Sequence, residues 1–218
     1  MTVHSASATD NATLINDACQ LYVADGAVIA DVTWGRGAFW QHTDTTRFKL
    51  LRSDLLPRDE TVEQADFRNL PYETSSIDVV VLDPPYIHNP GKHVTDARYN
   101  NAATTTGMYH ADILRLYTEG IIEARRVLRP EGGQLWVKCK DEVESGVQRW
   151  SHLEIYEAAL ANGFFGRDLF VLVPQSKTSS NRWQRQIHAR KNHSYLWVFE
   201  LPRPRELANL KRAGLFRT

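Results

Sequence analysis

Val79-Val80-Val81-Leu82-Asp83-Pro84-Pro85-Tyr86 is a short apolar run that ends abruptly in a carboxylate, two prolines and an aromatic ring. The four apolar residues are mostly β-branched, which predicts a strand buried on both faces of a sheet. Because proline lacks an N–H and fixes φ, the strand should stop at Asp83. A buried Asp that caps a Pro-rich turn would give the same pattern, so the meaning of this strand end depends on its neighbours.

On both sides of this run, short apolar strands alternate with helical patterns. Strands are predicted at 28–31, 47–52, 77–82, 133–138, 168–173 and 194–200, with a weaker one before Asp66, and helices at 12–24, about 37–43, 111–128 and 152–162. Such alternation predicts an α/β fold in which a doubly wound, mainly parallel seven-stranded sheet carries helices on both faces. Ligands bind beyond the carboxyl ends of the strands in such sheets, so functional residues should follow the strands directly.

The composition is ordinary for a soluble globular protein, with 42% hydrophobic and 24% charged residues. We expect a single domain over residues 1–200 and a basic C-terminal extension over 201–218 that contains a short helix at 205–212. Cys19 and Cys139 form neither a disulfide framework nor a zinc set, and no apolar run has the length of a membrane span. These features predict a cytoplasmic protein with no membrane partner and no metal site.

The net charge is zero, but the charge is unevenly distributed. Residues 1–173 hold 16 Lys and Arg against 24 Asp and Glu, whereas residues 174–218 hold 10 against 2. A basic end on an acidic body is expected if one face binds a polyanion such as a nucleic acid. A solvated basic tail explains the same numbers equally well, so the charge distribution alone leaves both interpretations open.

The first predicted strand ends at Asp31, and a glycine-containing loop follows it. The loop holds Thr33, Trp34, Gly35 and Gly37 before a predicted helix begins. Glycines allow the backbone to approach a ligand closely, and the start of a helix offers unpaired N–H groups. An ordinary strand-to-helix turn is the alternative, because a single G-x-G is a weak signal.

Two further acidic residues follow predicted strands. Asp54 lies 17 residues after Gly37, close to the spacing of about 20 at which dinucleotide-binding folds place a carboxylate for ribose hydroxyls. Taken alone, Asp54 is equally a turn residue or a helix cap. Asp66 can accept a hydrogen bond from a purine amine, and Phe67 can flank the ring. With Asp31, these residues would surround the amino acid, ribose and adenine parts of one nucleoside ligand.

Over about residues 26–200 the chain resembles the class I S-adenosylmethionine-dependent methyltransferases, and in particular the amino-methylating DNA methyltransferases. Asp83-Pro84-Pro85-Tyr86 is similar to their D-P-P-Y signature, and Asp31-x-x-x-Gly35-x-Gly37 resembles their cofactor loop. Thr33 and Trp34 depart from the common form of that loop. The resemblance implies a Rossmann-like fold that binds S-adenosylmethionine through Asp31, Thr33, Trp34, Gly35, Gly37, Asp54, Asp66 and Phe67.

The same resemblance implies methyl transfer to an exocyclic amine of a base that has been flipped out of DNA. Asp83 and the carbonyl of Pro84 would accept the two N–H bonds of the amine, and orienting reactants in this way is worth on the order of 7–11 kcal/mol. Pro84 and Pro85 would keep the carbonyls in a stiff frame, and Tyr86 would stack on the base. Asp83 favours adenine N6 over cytosine N4 as the target.

Two loops are candidates for contact with nucleic acid, although either can also be a solvated loop. Residues 87–110 have no periodic pattern, and residues 174–193 are rich in basic and amide side chains. The phosphate-binding candidates are Lys92, Arg98, Lys177, Arg182, Arg185, Arg190 and Lys191, and Trp183 offers a stacking surface.

DNA methylation at adenine N6 is the leading interpretation of the sequence, and two alternatives stay open. One is methylation of an RNA base, for example guanine N2. The other is a catalytically silent nucleic-acid-binding subunit that keeps the fold. Because the chain has no room for a separate target-recognition domain, specificity would be short, or would need a homodimer or a specificity partner.

Overall fold

The computed structural model describes residues 2–86, 109–174 and 186–214, within which ten strands and four helices are assigned. The strands are β1 (Ala6–Ser7), β2 (Val28–Asp31), β3 (Lys49–Asp54), β4 (Glu63–Gln64), β5 (Val79–Leu82), β6 (Gln134–Cys139), β7 (Glu142–Glu144), β8 (Val147–Arg149), β9 (Phe165–Leu172) and β10 (Ser194–Glu200). The helices are α1 (Asn11–Tyr22), α2 (His110–Val127), α3 (Ser151–Ala161) and α4 (Pro204–Arg212). Single 3₁₀ turns lie at Ala38–Trp40 and Thr45–Arg47.

Eight of the strands form one sheet in the order β1-β9-β10-β6-β5-β2-β3-β4, and β7 and β8 form a separate hairpin. Of the described strands in this sheet, β10 alone runs antiparallel to its neighbours, and it pairs with both β6 and β9. The chain builds outward from β2 to β3 and β4 on one side, and from β5 to β6 on the other. The strand order therefore reverses between β2 and β5, and a ligand crevice is expected beyond their carboxyl ends.

Two hydrophobic clusters cover the two faces of the sheet. Alternate residues of β5 enter different clusters: Val80 and Leu82 pack with α2 and α3, whereas Val79 and Val81 pack with α1. Because a buried aliphatic side chain contributes about 1.5–3 kcal/mol, β5 has no face that tolerates a polar residue. The predicted mainly parallel sheet with helices on both faces is confirmed.

Three details differ from the sequence-based expectation. The sheet has eight strands instead of seven because β1, where no strand was predicted, pairs with β9 through two residues, too few to show a periodic pattern. The helix predicted at about 37–43 is only the 3₁₀ turn at Ala38–Trp40. The β7–β8 hairpin was missed; its turn is Ser145-Gly146, where both residues have positive φ.

The C-terminal helix α4 begins at Pro204 and has no buried residue. It corresponds to the short helix predicted at 205–212. In the parts of the chain that the structure describes, the longest and most apolar helices fall short of what a bilayer crossing requires.

Candidate active site

A cleft opens at the carboxyl ends of β2, β3 and β5. Seven of the residues predicted to hold a cofactor or to act in catalysis line it: Thr33, Gly35, Asp54, Asp66, Phe67, Asp83 and Pro85. Six more lining residues were not predicted: Val32, Leu55, Leu56, Arg58, Arg68 and Leu116. The structure thus brings together residues from five separate stretches of sequence at the strand-order reversal.

The loop after β2 depends on its two glycines. Gly35 and Gly37 have φ values of 56° and 66°, in the left-handed region that favours glycine. A Cβ on Gly37 would lie 2.5 Å from the Trp34 ring, so this side chain requires glycine beneath it. The guanidinium of Arg52 lies 5.3 Å from the centroid of the same ring. Trp34 and Gly37 shape the loop but do not line the cleft.

Asp31 lies inside the protein, with 2% of its surface exposed, and not on the wall of the cleft. One carboxylate oxygen accepts a hydrogen bond from the Thr33 N–H at 3.1 Å, and the other accepts one from the Trp40 indole at 2.8 Å. Burial raises the pKa of Asp31 to about 7 against the effect of these two hydrogen bonds. Its observed role is to hold the glycine loop and the following 3₁₀ turn together.

Asp54, at the end of β3, connects two of the loops that form the cleft. Its carboxylate accepts hydrogen bonds from the backbone N–H of Gly35 at 2.7 Å and of Leu56 at 2.9 Å. A carboxylate has about four acceptor positions, so two of them stay available to a ligand. Asp54 therefore combines a structural role with the position expected of a ribose-binding residue.

Asp66 also lines the cleft, but a neighbouring cation already binds its carboxylate. The Arg68 guanidinium donates to both Asp66 oxygens at 2.6–3.1 Å and approaches Glu119 at 3.4 Å. The hydrogen bonds from Arg68 lower the pKa of Asp66, which keeps it ionised. A purine amine at Asp66 would have to share the carboxylate with Arg68, a competition that the sequence did not indicate.

Phe67 is positioned by a glycine in the middle of α2. A Cβ on Gly120 would lie 3.0 Å from ring atoms of Phe67 and 3.0 Å from Leu82. Glycine inside a helix costs about 1 kcal/mol relative to alanine. That cost makes room for an aromatic ring on the cleft wall.

Asp83 follows β5 directly, as predicted, and is held at its backbone. Its N–H donates to the Thr33 hydroxyl at 2.8 Å, which joins the glycine loop to the strand end. Its Oδ1 atom is buried and has no hydrogen-bond partner among the described residues. Burial raises the pKa of Asp83 to about 6, and the nearby Lys138 ammonium partly opposes this effect. Unpartnered buried carboxylate oxygens are uncommon and call for an explanation.

Lys138, on β6, is a buried cation beside this carboxylate that sequence reasoning missed. The parallel strands β5 and β6 pair Leu82 with Val137. Asp83 and Lys138, the next residue on each strand, therefore lie side by side. The Lys138 ammonium donates to the Ser194 hydroxyl at 2.5 Å, and burial lowers its pKa while Asp83 raises it. The available signal was a lysine inside the otherwise apolar run Leu135–Cys139.

Pro84 and Tyr86 do not line the cleft. Pro84 is buried, and Tyr86 is half-buried against the hydrophobic cluster that contains Leu82 and Tyr117. Stacking of Tyr86 on a base stays a prediction.

Most of the predicted nucleic-acid contacts lie outside the described residues: Lys92, Arg98, Lys177, Arg182, Trp183 and Arg185. Arg190 is exposed, and the Lys191 ammonium lies 5.6 Å from the centroid of the Trp150 ring. No group of three or more potential ligands among the described His, Cys, Asp and Glu residues could hold a metal ion.

No protein-family model and no curated protein matches the sequence. Solved structures do. A methyltransferase of Burkholderia thailandensis with bound 1,6-didemethyltoxoflavin and S-adenosylhomocysteine is 13% identical with a TM-score of 0.55, covering 88% of this chain and 79% of that one. An S-adenosylmethionine-dependent methyltransferase of Methanosarcina mazei is 12% identical with a TM-score of 0.52, covering 85% and 97%. The chain therefore has the Rossmann-like fold of class I methyltransferases.

A candidate DNA modification methylase of Thermus thermophilus, crystallised with S-adenosylmethionine, is also similar at 19% identity and a TM-score of 0.44. The match covers 64% of this chain and 54% of the methylase, so the chain spans about half the length of that protein.

Proposed function

We propose that the chain is an S-adenosylmethionine-dependent methyltransferase that modifies an exocyclic amine of a base in DNA, with adenine N6 as its target. The observation that carries the proposal is the Asp83 carboxylate at a strand end, whose buried Oδ1 lacks a partner among the described residues. Such an atom fits a substrate N–H donor, and the cleft beside it opens at the strand-order reversal where this fold binds ligands.

The residues of the cleft fit S-adenosylmethionine. Gly35 brings backbone to the cleft wall, Asp54 offers acceptor positions for ribose hydroxyls, and Phe67 with Leu116 offers apolar surface for a purine ring. When bound, the cofactor supplies an electrophilic methyl group. Each kind of residue matches one part of the nucleoside: the Asp54 carboxylate suits the ribose hydroxyls, and the Phe67 ring suits the purine.

Asp83 would make the amine reactive by position. The lone pair of a base amine is delocalised into the ring, so the amine is a poor nucleophile until its N–H bonds are held. The Asp83 carboxylate would accept one N–H bond and the Pro84 carbonyl the other, turning the lone pair out of the ring plane. Orientation of this kind accounts for on the order of 7–11 kcal/mol of a barrier.

The pKa of Asp83 suits both halves of the reaction. At a pKa of about 6 the carboxylate is mostly ionised near neutral pH, so it can accept hydrogen bonds and stabilise positive charge developing on nitrogen. As the N–C bond forms, the amine gives up one proton, which Asp83 can take and pass to water. The Lys138 ammonium favours the ionised form at rest.

DNA is the proposed substrate because residues 174–218 hold 10 Lys and Arg against 2 Asp and Glu. Cations in such excess bind phosphates. Five of the ten lie in residues 174–193, the connection into β10, which begins at the same edge of the sheet as Asp83, and the other five follow β10, which ends at the opposite edge. A small-molecule amine would not need this charge.

The test is to incubate the protein with methyl-labelled S-adenosylmethionine and, separately, with unmethylated duplex DNA and total RNA, then to analyse the digested nucleosides by mass spectrometry. Labelled N6-methyladenine from DNA, lost in Asp83→Ala and retained in the exposed control Glu60→Ala, is the expected result. Label only in RNA would overturn the DNA assignment. Cofactor binding without transfer to either polymer would overturn the proposed activity and favour a silent subunit.

A further inference from the structure

Four exposed apolar side chains lie in the β7–β8 hairpin, next to it, or in segments that contact it. Ile187 is 84% exposed and Trp150 is 51% exposed, and Tyr109 and Val147 are also more than half exposed. Tyr109 precedes α2, Val147 and Trp150 belong to or follow the β7–β8 hairpin, and Ile187 precedes β10. We call Tyr109, Val147, Trp150, Ile187, Arg190 and Lys191 the Trp150 surface.

Hydrogen bonds tie these separate segments to the hairpin. The His188 imidazole Nε2 lies 2.9 Å from the Gly146 carbonyl oxygen, which fixes the segment before β10 to the hairpin turn. The His110 backbone N–H donates to Glu144 at 2.5 Å, which fixes the start of α2 to the same hairpin. The segments that carry Tyr109 and Ile187 therefore both contact the β7–β8 hairpin, which carries Val147 and is followed directly by Trp150.

The backbone that follows Trp150 is held in place by contacts of His152. His152, two residues along, lies with Nδ1 2.8 Å from the buried Asp141 carboxylate and stacks on Tyr195 at 4.4 Å. The indole of Trp197 donates to the His152 carbonyl at 3.0 Å. An aromatic ring presented from a rigid base loses little conformational entropy when a ligand stacks on it.

The Trp150 surface combines an aromatic ring with positive charge, and the Lys191 ammonium also acts to lower the pKa of the nearby Glu142 carboxyl. The Lys191 ammonium lies 5.6 Å from the centroid of the Trp150 ring, and Arg190 beside it is exposed. Among the described residues, neither cation has an ion pair with an Asp or Glu, whereas Arg149 is paired with Glu144 at 2.7 Å. A ring that stacks bases next to a cation that binds phosphate is the arrangement of single-strand binding sites.

The segment that carries Arg190 and Lys191 leads into β10 at the edge of the sheet where Asp83 lies. β10, β6 and β5 are consecutive strands, and Ser194 starts β10 at the edge where β6 and β5 end. Neighbouring strands are about 4.8 Å apart, so Ser194 is about 10 Å from the end of β5 across the sheet. A polymer whose base reaches Asp83 would pass over this edge, which a free nucleoside would not.

We propose that the Trp150 surface binds the DNA strand beside the target base, with a neighbouring base stacked on Trp150 and the adjoining phosphate held by Lys191. The inference rests on the proposed function, because the position of the target base at Asp83 brings the flanking strand to this edge. It adds a specificity element: contact with one or two flanking nucleotides.

The test measures DNA binding apart from methyl transfer. Fluorescence anisotropy with a labelled single-stranded oligonucleotide and with the matched duplex, over a series of salt concentrations, compares Trp150→Ala and Lys191→Ala with wild type. Leu21→Ala and Lys49→Ala are the matched controls, since Leu21 is exposed on α1 and Lys49 is exposed at the start of β3, on the opposite edge of the sheet.

We expect Trp150→Ala to weaken single-strand binding about 5- to 150-fold, the range for loss of one stacked base. Trp150→Phe keeps a stacking ring and should retain most of the affinity, which separates loss of stacking from misfolding. Lys191→Ala should reduce the slope of log affinity against log salt by about one counterion. Both controls should match wild type.

Unchanged DNA affinity in Trp150→Ala overturns the inference, as does an equal loss in Trp150→Ala and Leu21→Ala. Binding of RNA in place of DNA overturns it too. Cofactor affinity and methyl transfer by the wild-type protein are measured in parallel. Transfer to DNA with an inert Trp150 surface refutes only the inference, whereas absence of transfer in a protein that binds DNA through Trp150 refutes only the proposed activity.

Discussion

Replacing Asp83 with asparagine should make the protein more stable at neutral pH while it abolishes methyl transfer. Burial raises the pKa of Asp83 from 3.8 to about 6, so the folded protein binds the proton more tightly than the unfolded chain does. That preference stabilises the fold fully below pH 3.8 and is lost as the pH rises through about 6. At neutral pH the ionised carboxylate of Asp83 therefore destabilises the folded state relative to its protonated form.

The size of the effect follows from the shift in pKa. A rise in the pKa of Asp83 from 3.8 to about 6 corresponds to about 3 kcal/mol of unfolding free energy between the fully protonated and fully ionised limits. This is an upper limit, because part of the residue faces the cleft. Between about pH 4 and about pH 8 the wild-type protein should lose about 2 kcal/mol from this group. The asparagine side chain does not titrate, so the stability difference between Asp83→Asn and wild type should grow by that amount.

Thermal and urea unfolding of the wild-type protein and Asp83→Asn over this pH range would measure the effect. A difference of about 2 kcal/mol corresponds to about 4–8 °C in Tm for a chain of this size. Glu60→Gln, at an exposed carboxylate, is the control and should show no such trend. A variant that is less stable than wild type at about pH 8, or a difference that does not change with pH, would refute the reasoning.

Three further variants test the contacts around Asp83. Thr33→Val removes the acceptor of the Asp83 N–H, so it should lower the unfolding free energy in urea titrations by about 1–3 kcal/mol and lower the rate of methyl transfer. Thr33→Ser should retain both the stability and the rate, and equal behaviour of the two variants would contradict a role for the hydroxyl. Gly120→Ala should weaken S-adenosylmethionine binding in calorimetry by displacing Phe67, and a gain in affinity would show that the ring relaxes freely. Lys138→Met removes the cation that lowers the pKa of Asp83, so the acid limb of the pH–rate profile should move to higher pH, whereas Lys138→Arg should leave the limb in place. An acid limb that does not move in Lys138→Met would mean that Lys138 does not influence the titration of Asp83 in solution.

The parts of the fold that could be predicted are those where burial alone determines the sequence. The bounds of β2 and β10 match the prediction residue for residue, because strands inside a sheet are largely buried and therefore mostly apolar. The position of Asp83 after β5 followed from the same logic, since a charge and two prolines cannot continue such a strand.

The parts that could not be predicted depend on which residues meet in space. The β7–β8 hairpin has only three residues in each strand, so its sequence carries too few positions for a pattern. The ion pair between Asp66 and Arg68 is local but competes with the ligand role that the spacing favoured. Lys138 was overlooked because its meaning comes from the register of β6 with β5, which no single stretch of sequence specifies.

The hydrogen bond between the Thr33 hydroxyl and the Asp83 N–H has a consequence for how the cofactor and the base affect each other's affinity. It makes one mechanical unit of the loop expected to hold the cofactor and the residue expected to hold the base. We expect a ligand that moves one of them to alter the position of the other. By thermodynamic reciprocity, the factor by which the cofactor changes affinity for the base equals the factor by which the base changes affinity for the cofactor. Two substrates that contact no common side chain would therefore change each other's affinity through the Thr33 hydroxyl.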